Sequence, residues 1–219
     1  MTQPSIVSPF PSDFAERCRK LGSSTLYEAS GLRCAADPLI RGIWDGAFIA
    51  AAAYPLECSP GDNLAIHIAM EQVPRGAVLV VSTSNFIAGY WGEVLTVAAE
   101  AAGVAGLVID GGVRDVAAIR SRKFPVFSRG ITVRGTVKAS VPSVGKAMSF
   151  TGVPVAPGDL VVADDDGVIV IPAADATRTI LAGEERAEKE AAMMQKLVNG
   201  ATTLELLGLT QARQWRDDP

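Results

Sequence analysis

Two short polar stretches of this sequence carry groups that could do chemistry. SNFIAGYWGE follows the apolar run AVLVVST (Ala77–Thr83), and GGVRD follows the apolar run VAGLVID (Val104–Asp110). Both runs are rich in β-branched residues, which is typical of buried strands. Ligands in open α/β sheets bind beyond the carboxyl ends of such strands. If the two strands are neighbours, both stretches face one crevice, and we expect a small-molecule site there.

The first stretch leads into a predicted helix that begins with Gly92, Glu93, Val94 and Leu95. Free backbone N–H groups at a helix start, together with the helix dipole, attract anions. Gly92 would let a small carboxylate come close to the backbone. The alternative is that Glu93 simply caps the helix and that nothing binds there.

The second stretch ends in Arg114-Asp115, after the predicted turn Asp110-Gly111-Gly112. An arginine can hold a carboxylate through two hydrogen bonds or stabilise a developing enolate oxygen. An aspartate beside it can hold a hard divalent cation, often through water. The alternative is that Asp115 caps the next helix and that Arg114 forms a surface ion pair.

The spacing between the two stretches carries a resemblance to a known family. Twenty residues separate Glu93 from Arg114, and they form one predicted helix and one predicted strand that return the chain to the same sheet edge. With GDNLAIH, PVFSRG and PGDLVVADDDGVIVIP, this pattern resembles the regulator of ribonuclease activity A (RraA)-like family over most of Gly61–Pro172. An acidic residue, twenty residues and Arg-Asp separate its aldolases from its non-enzymatic ribonuclease regulators.

The aldolase branch cleaves 4-hydroxy-4-methyl-2-oxoglutarate or 4-carboxy-4-hydroxy-2-oxoadipate. The resemblance implies that the pyruvyl end of the substrate is bound by four consecutive backbone amides, those of Gly92, Glu93, Val94 and Leu95. It further implies that Arg114 contacts the keto acid and stabilises its enolate, and that Asp115 holds Mg²⁺ or Mn²⁺. Glu93 would orient a water molecule or move a proton.

The resemblance also implies an assembly and a fold. Members of the family form trimers, sometimes stacked into hexamers, with sites at the subunit interfaces. A glutamate from the C-terminal helix of a neighbouring subunit completes each site, and here the candidates are Glu190, Glu185 and Glu188. The implied fold is the swivelling β/β/α type of phosphohistidine domains.

The residues in the two stretches fit the chemistry of the aldolases. Retro-aldol cleavage of a 4-hydroxy-2-oxo acid needs a base at the 4-hydroxyl and an electron sink at the 2-keto group. A lysine Schiff base or a divalent metal can serve as the sink, and these stretches contain no lysine. We therefore expect a metal-dependent pyruvate aldolase with oxaloacetate decarboxylase activity. A ribonuclease regulator on the same scaffold, or a lyase for another 2-oxo or β-keto acid, remains an alternative.

The elements that must position these residues form one predicted α/β domain spanning residues 1–219. Strand, helix, strand, helix (Asp115–Arg122) and strand (Pro125–Ser128) alternate from Ala77 onward, which predicts parallel pairing with right-handed crossovers. Before them we predict a loose arm (residues 1–11) and two helices, Ser12–Leu21 and Ser24–Ala29, with Ser12 and Ser24 as N-caps and Gly22 and Gly31 as stops. A strand pair around Asp45-Gly46 and the helix LAIHIAMEQV follow.

After residue 128 the pattern changes. Val133–Val144 and Met148–Val155 are predicted as antiparallel strands, and LVVADDDGVIVIP as a hairpin that turns at Asp166-Gly167. A helix over Ala173–Val198 opens the C-terminal helical segment (residues 173–219). The sheet is therefore predicted to be mixed.

Composition excludes several classes of protein. Among 219 residues, 48% are hydrophobic, and 24 acidic side chains outnumber 20 basic ones, so we expect no nucleic-acid partner. No apolar segment is long enough to span a membrane, and the three cysteines are widely spaced, so we expect a reduced, cytoplasmic protein. The single histidine, His67, is expected to pack or to face solvent, and Trp91 to line the pocket or an interface.

Overall fold

A computed structural model describes residues 10–140 and 142–216, without the side chains of residues 214–216. Nine residues of the predicted N-terminal arm (residues 1–9) therefore lie outside the described part of the chain. The helices are α1 (Phe14–Ser30), α2 (Leu64–Gln72), α3 (Glu93–Ala102), α4 (Val116–Arg122), α5 (Ala173–Val198) and α6 (Thr203–Leu206), followed by a 3-10 helix (Thr210–Arg216). The strands are β1 (Arg41–Gly42), β2 (Ile49–Glu57), β3 (Val78–Ser82), β4 (Gly89–Trp91), β5 (Gly106–Val113), β6 (Val126–Ile131), β7 (Ser143–Val144), β8 (Met148–Phe150), β9 (Val153–Val155), β10 (Leu160–Asp164) and β11 (Gly167–Ile171).

One mixed sheet organises the molecule, as the sequence predicts. Its order is β1-β6-β5-β3-β2-β10-β11, with β4 paired to β5 and β7 paired to β2. The strands β2, β3, β5 and β6 run parallel, and β10 and β11 form the expected antiparallel hairpin. The central strands β3 and β5 are almost wholly buried because helices and other strands cover both of their faces.

The two ends of this sheet come together, so the sheet is nearly closed. The guanidinium of Arg41, on edge strand β1, donates hydrogen bonds to the backbone oxygens of Asp165 and Asp166 at the turn that precedes β11. The backbone N–H of Gly46 donates to the Asp165 carboxylate at 3.0 Å. The likeness to phosphohistidine domains stays a prediction.

The N-terminal helices follow the expected pattern with one shift. The backbone leaves helical geometry at Gly22 (φ 76°, ψ 160°), which divides α1 into the two predicted helices, and Gly31 ends it in the left-handed conformation. The prediction that Ser12 and Ser24 cap these helices is wrong. The first helix starts after Asp13, and the Ser24 hydroxyl donates to Asp166 instead.

Other predictions fail where tertiary contacts outweigh local turn signals. The predicted turn Asp110-Gly111-Gly112 is part of β5, because its two glycines let Thr83 and Ala88 pack against the strand. Among the described residues of the predicted strand Val133–Val144, which exclude residue 141, only β7 forms. Met148–Val155 folds back on itself as the β8–β9 hairpin. The two strands predicted around Asp45-Gly46 are β1 and β2. They do not pair with each other, because β1 has only two residues and pairs with β6.

We expect the substitution Gly112→Ala to destabilise the fold. An added Cβ would lie 2.7 Å from the backbone oxygen of Ala88 and 2.8 Å from the Thr132 side chain, so β4 and β5 would have to move apart. Overpacking of this kind costs about 1–3 kcal/mol. Urea unfolding measures the loss. Gly135→Ala is the matched control, since nothing lies within 4 Å of an added Cβ there; equal stability of both variants would contradict the expectation.

Candidate functional site

A cleft of about 300 Å³ opens beyond the carboxyl ends of β4 and β5, where the two predicted stretches meet. Its existence confirms that the loops after the two strands share one edge of the sheet, because β3 and β5 are parallel neighbours. The residues that line it are Asn63, His67, Gly89, Tyr90, Gly92, Val94, Leu95, Arg114, Asp115, Gly135, Thr136 and Lys138.

Asp115 ties the start of α4 to the start of α3. Although Asp115 occupies the N-cap position of α4, its side chain makes no capping hydrogen bond there. Its carboxylate instead accepts the backbone N–H of Glu93 at 3.0 Å. A Cβ on Gly92 would overlap this carboxylate, so only glycine allows the approach. Asp115 itself sits in the left-handed region (φ 56°), which aspartate tolerates better than most residues.

Arg114 projects from the end of β5 into the same cleft. Its backbone N–H donates to the Trp91 oxygen at 2.8 Å, which fixes the strand end beside β4. The half-exposed guanidinium places Nε 3.8 Å from Oδ2 of Asp115. Gly89 and Gly92 leave space for its aliphatic stem, since a Cβ at either position would lie within 3.2 Å of that stem.

The first turn of α3 presents two open backbone donors to the cleft. The N–H of Glu93 is bonded to Asp115, and that of Thr96 donates to the Gly92 oxygen. The N–H groups of Val94 and Leu95 belong to the first turn of a ten-residue helix, where no intrahelical acceptor exists, and both residues line the cleft. These are the amides best placed to receive an anion.

The Glu93 carboxylate lies elsewhere. Its Oε1 is 3.3 Å from Nη2 of Arg122, in an ion pair on the outer side of α3 and α4, and Glu93 is not among the cleft-lining residues. The structure thus brings the backbone of Glu93 to the site, whereas its side chain is held by Arg122. The predicted role of this carboxylate stays a prediction.

Irregular backbone over residues 132–140, after β6, forms the outer wall of the cleft. Its anchor is Asp62, a buried residue whose carboxylate accepts N–H groups from Leu64 (2.9 Å), Ala139 (2.7 Å) and Ser140 (2.8 Å). The Gly89 N–H also donates to the Arg134 oxygen at 2.7 Å. Hydrogen bonds to the charged form of Asp62 hold its pKa below the ordinary value, and the largest contribution comes from the Leu64 N–H.

A second polar group in the cleft was not singled out from the sequence. Asn63, at the N-cap of α2, and His67, one turn later, both line it. Burial, and then the charge of Lys138, lower the pKa of His67, which favours the neutral form of the imidazole. His67 is half-buried, which is compatible with the expectation that it would pack, and its place on the cleft was not predicted. The spacing of Asn63 and His67, which puts both on one helix face, was the available signal.

Trp91 takes neither of the two places expected for it. Its ring is fully buried and stacks on Phe124, with 6.0 Å between the ring centroids. Its Nε1 donates to the Thr96 hydroxyl at 2.8 Å. Trp91 therefore anchors α3 to the core beneath the cleft rather than lining a pocket or an interface.

Asp115 is compatible with a hard divalent cation only if other oxygens complete the coordination. In the part of the chain that the structure describes, no three His, Cys, Asp or Glu side chains converge on one point. Mg²⁺ commonly uses one or two carboxylates and completes its shell with water and substrate oxygens. The single carboxylate of Asp115, open to the cleft, fits that arrangement.

The three candidate glutamates lie at the midpoint of α5 and in the turn and a half that follows it. Glu190 is paired with Arg186 at 2.8 Å, and Arg186 also contacts Glu28. Glu185 and Glu188 are exposed. Their predicted reach into a neighbouring subunit stays a prediction. None of the helices in residues 10–140 and 142–216 has the length and apolar character of a membrane span.

The fold and the cleft together define an α/β protein with a polar cleft at the carboxyl edge of its parallel strands. The model of the RraA-like family (Aldolase/RraA) matches residues 23–170. The chain therefore belongs to the RraA-like family.

Named relatives agree with this assignment. A protein of Halalkalibacterium halodurans, provisionally named a 4-hydroxy-4-methyl-2-oxoglutarate aldolase, is 31% identical over 73% of this chain and 77% of its own length. An uncharacterised protein of Pseudomonas syringae pv. tomato superposes with a TM-score of 0.77 at 27% identity, over 94% of this chain and 98% of the other. RraAS2 of Streptomyces coelicolor, described as an unusual member of the RNase ES inhibitor RraA family, gives 0.75 at 25% identity, over 85% and 98%.

We expect Asp62→Asn to loosen the outer wall of the cleft in a pH-dependent way. Because the folded-state pKa of Asp62 lies below its ordinary value of 3.8, its contribution to stability is present above that value and is lost as the pH falls through the folded pKa. The variant should unfold at lower urea concentration than the wild type at neutral pH. The gap should narrow in acid. Asp45→Asn, an exposed carboxylate, is the control; a gap that stays constant with pH would contradict the assignment.

Proposed function

We propose that this protein is a divalent-metal-dependent pyruvate aldolase that cleaves a 4-hydroxy-2-oxo acid of the 4-hydroxy-4-methyl-2-oxoglutarate or 4-carboxy-4-hydroxy-2-oxoadipate type. One observation carries the proposal. The guanidinium of Arg114, the carboxylate of Asp115 and the open amides of Val94 and Leu95 face one cleft. Membership in a family that contains aldolases, and a relative named as such an enzyme, support it.

In this proposal the chain's own groups bind and polarise the 2-oxo acid. The amides of Val94 and Leu95, at the positive end of the α3 dipole, receive the C1 carboxylate. Arg114 donates to the 2-oxo oxygen, where negative charge develops as the bond between C3 and C4 breaks. The enolate of pyruvate is the product of this step.

Asp115 would hold the metal, with Mg²⁺ or Mn²⁺ as the expected ion. When bound, such a cation supplies Lewis-acid stabilisation of the enolate oxygen. Asp115 can serve this role because its carboxylate is not used to cap α4. The hydrogen bond from Glu93 orients that carboxylate toward the cleft.

Decarboxylation of oxaloacetate produces the same pyruvate enolate. We therefore propose oxaloacetate decarboxylase activity at the same site. Only the leaving group differs: carbon dioxide replaces a carbonyl compound, and the groups that bind the 2-oxo acid are unchanged.

We also propose that the active assembly is a homotrimer or a hexamer with the cleft at a subunit interface. The exposed apolar side chains of Val94, Ile131 and Val133 lie at the rim of the cleft. Ile131 and Val133 also line a second open groove, which adjoins Arg114 and Asp115. An apolar rim around a polar site is typical of a surface that another subunit covers. A glutamate of the partner's α5, or Glu93 after release from Arg122, would provide the base.

A protein-binding regulator of a ribonuclease is the second candidate. The structural likeness to RraAS2 and the same exposed apolar rim favour it. The two functions differ in their need for Arg114 and Asp115. A regulator that binds through its surface does not require a guanidinium next to a carboxylate that is left free of helix capping.

Pyruvate release tests the metal assignment. We expect the protein to release pyruvate from 4-hydroxy-4-methyl-2-oxoglutarate and from oxaloacetate with Mg²⁺ or Mn²⁺, and to stop when EDTA is added. Asp115→Asn keeps an acceptor for the Glu93 amide but removes the charge, so it should need much more metal for half-maximal activity. Asp45→Asn should behave as the wild type. If saturating metal gives no pyruvate, the aldolase proposal fails and the regulator is favoured.

Removal of the Arg114 guanidinium should affect the chemical step more than the fold. Arg114→Ala should lose about 3 kcal/mol of transition-state stabilisation, which is about a hundredfold in kcat. Arg33→Ala, at an exposed arginine outside the cleft, is the matched control and should keep full activity. Steady-state kinetics and circular dichroism measure both effects. Full turnover of Arg114→Ala would remove Arg114 from the mechanism.

A further inference from the structure

A second cavity lies at the edge of the parallel strands that is opposite the cleft. It opens where β3 begins, between the loop that follows α2 and the middle of β2, and we call it the amino-edge cavity. Its volume is about 400 Å³, which is within the range of small-molecule sites. The five-residue strand β3, about 16 Å long, separates it from the cleft, and none of the described residues lines both spaces.

The walls of the amino-edge cavity are apolar and are held by tight turns. Alanine, glycine and proline make up eight of its ten lining residues, and the ring of Tyr54 adds an aromatic wall. Gly76 and Gly158 both have positive φ (80° and 91°), which favours glycine. Their N–H groups donate to the backbone oxygens of Gly103 at 2.7 Å and of Ala53 at 2.9 Å. These bonds fix the turns, so the space between them is part of the fold.

Arg75 supplies the one charge among the side chains that line this cavity. None of the lining residues is acidic, and burial raises the pKa of Tyr54, so its phenol stays neutral. The guanidinium of Arg75 lies against Gly103 and donates to the Ala101 oxygen over a long distance, 3.4 Å. It forms no ion pair with any side chain in the described ranges. An anion in the cavity would therefore find an available cation.

Apolar walls and a single guanidinium together match one kind of small molecule. A small inorganic anion would pair with Arg75 but would leave the apolar walls in contact with water. A neutral apolar molecule would cover the walls but would leave the guanidinium without a counter-charge. A carboxylate attached to an apolar body satisfies both, because a guanidinium can bind a carboxylate through two parallel hydrogen bonds.

We infer that the amino-edge cavity is a second ligand site, which binds a small carboxylic acid with an apolar body. The carboxylate pairs with Arg75, and the body packs against Tyr54 and Ala52. The inference goes beyond the proposed function and does not depend on it, since the groups that would bind a 2-oxo acid all line the cleft.

Calorimetry with three probes tests which parts of the acid are recognised. Benzoate carries both an apolar ring and a charge, acetate has the charge with almost no body, and benzyl alcohol has the ring without the charge. We expect the wild type to bind benzoate at least about tenfold more tightly than either of the others, because each lacks one of the two contributions. Equal affinity for benzoate and acetate, or no binding of benzoate, would overturn the inference.

Substitution of Arg75 tests the charge. Arg75→Gln should weaken benzoate binding about tenfold, as expected for a lost charged hydrogen bond, and should leave the binding of benzyl alcohol unchanged. Arg33→Gln, at an exposed arginine outside the cavity, is the matched control and should bind benzoate as the wild type does. Arg114→Ala should also keep benzoate binding. If Arg114→Ala loses it and Arg75→Gln keeps it, the acid binds in the cleft and the inference is wrong.

Filling the cavity tests the place of binding. Ala52 is half-buried and lines the cavity, so Ala52→Leu should take up part of the space and weaken benzoate binding at least about tenfold. Ala174→Leu, at an exposed alanine of α5, is the control and should have no effect. Circular dichroism and light scattering report the fold and the mass of each variant. If Ala52→Leu folds but changes the mass of the assembly, the cavity is a contact between copies of the chain, and the ligand site is overturned.

Discussion

The close approach of Asp115 to the start of α3 is the contact on which the site depends. It joins the ends of two neighbouring parallel segments, β4 and β5, through the hydrogen bond from the Glu93 amide. The bond is possible only because residue 92 is a glycine and because Asp115 adopts a left-handed backbone conformation. With this contact in place, Arg114 and the open amides of α3 face the same space. The hydrogen bond from the Arg114 N–H to the Trp91 oxygen holds the same two helix starts side by side.

Two buried carboxylates, those of Asp110 and Asp62, fix the loops around this contact. Asp110, 2% exposed, accepts hydrogen bonds from the Thr83 N–H and the Ser82 hydroxyl, and so shapes the loop that leaves β3. Asp62 does the same for the wall formed after β6. Each carboxylate satisfies several backbone donors that irregular segments leave without partners. The cleft can therefore have walls without regular structure and still keep a defined shape.

Much of the scaffold was predictable, because its signals are local. The runs around β3 and β5, the intervening α3, the β10–β11 hairpin and the long α5 were all expected from apolar periodicity and turn residues. Two of the expectations that failed have the same cause, which is contact between segments far apart in the chain. Glycines at 111 and 112 read locally as a turn, yet they continue β5 because Ala88 and Thr83 must come close. The segment after β6 was predicted as a strand, but the backbone N–H groups of Ala139 and Ser140 donate to the Asp62 carboxylate instead of to a neighbouring strand.

By itself, the sequence determined the family, the parallel core and the stretch on which Arg114, Asp115 and the α3 amides lie, because chain order and spacing bring consecutive parallel strands to one edge. Only the tertiary structure decided which groups face inward. It turned the Glu93 carboxylate toward Arg122, buried Trp91 beneath the cleft and brought Asn63 and His67 into it with Lys138. Side-chain direction at a cleft is set by contacts between segments far apart in the chain, and such contacts leave no periodic trace in the sequence.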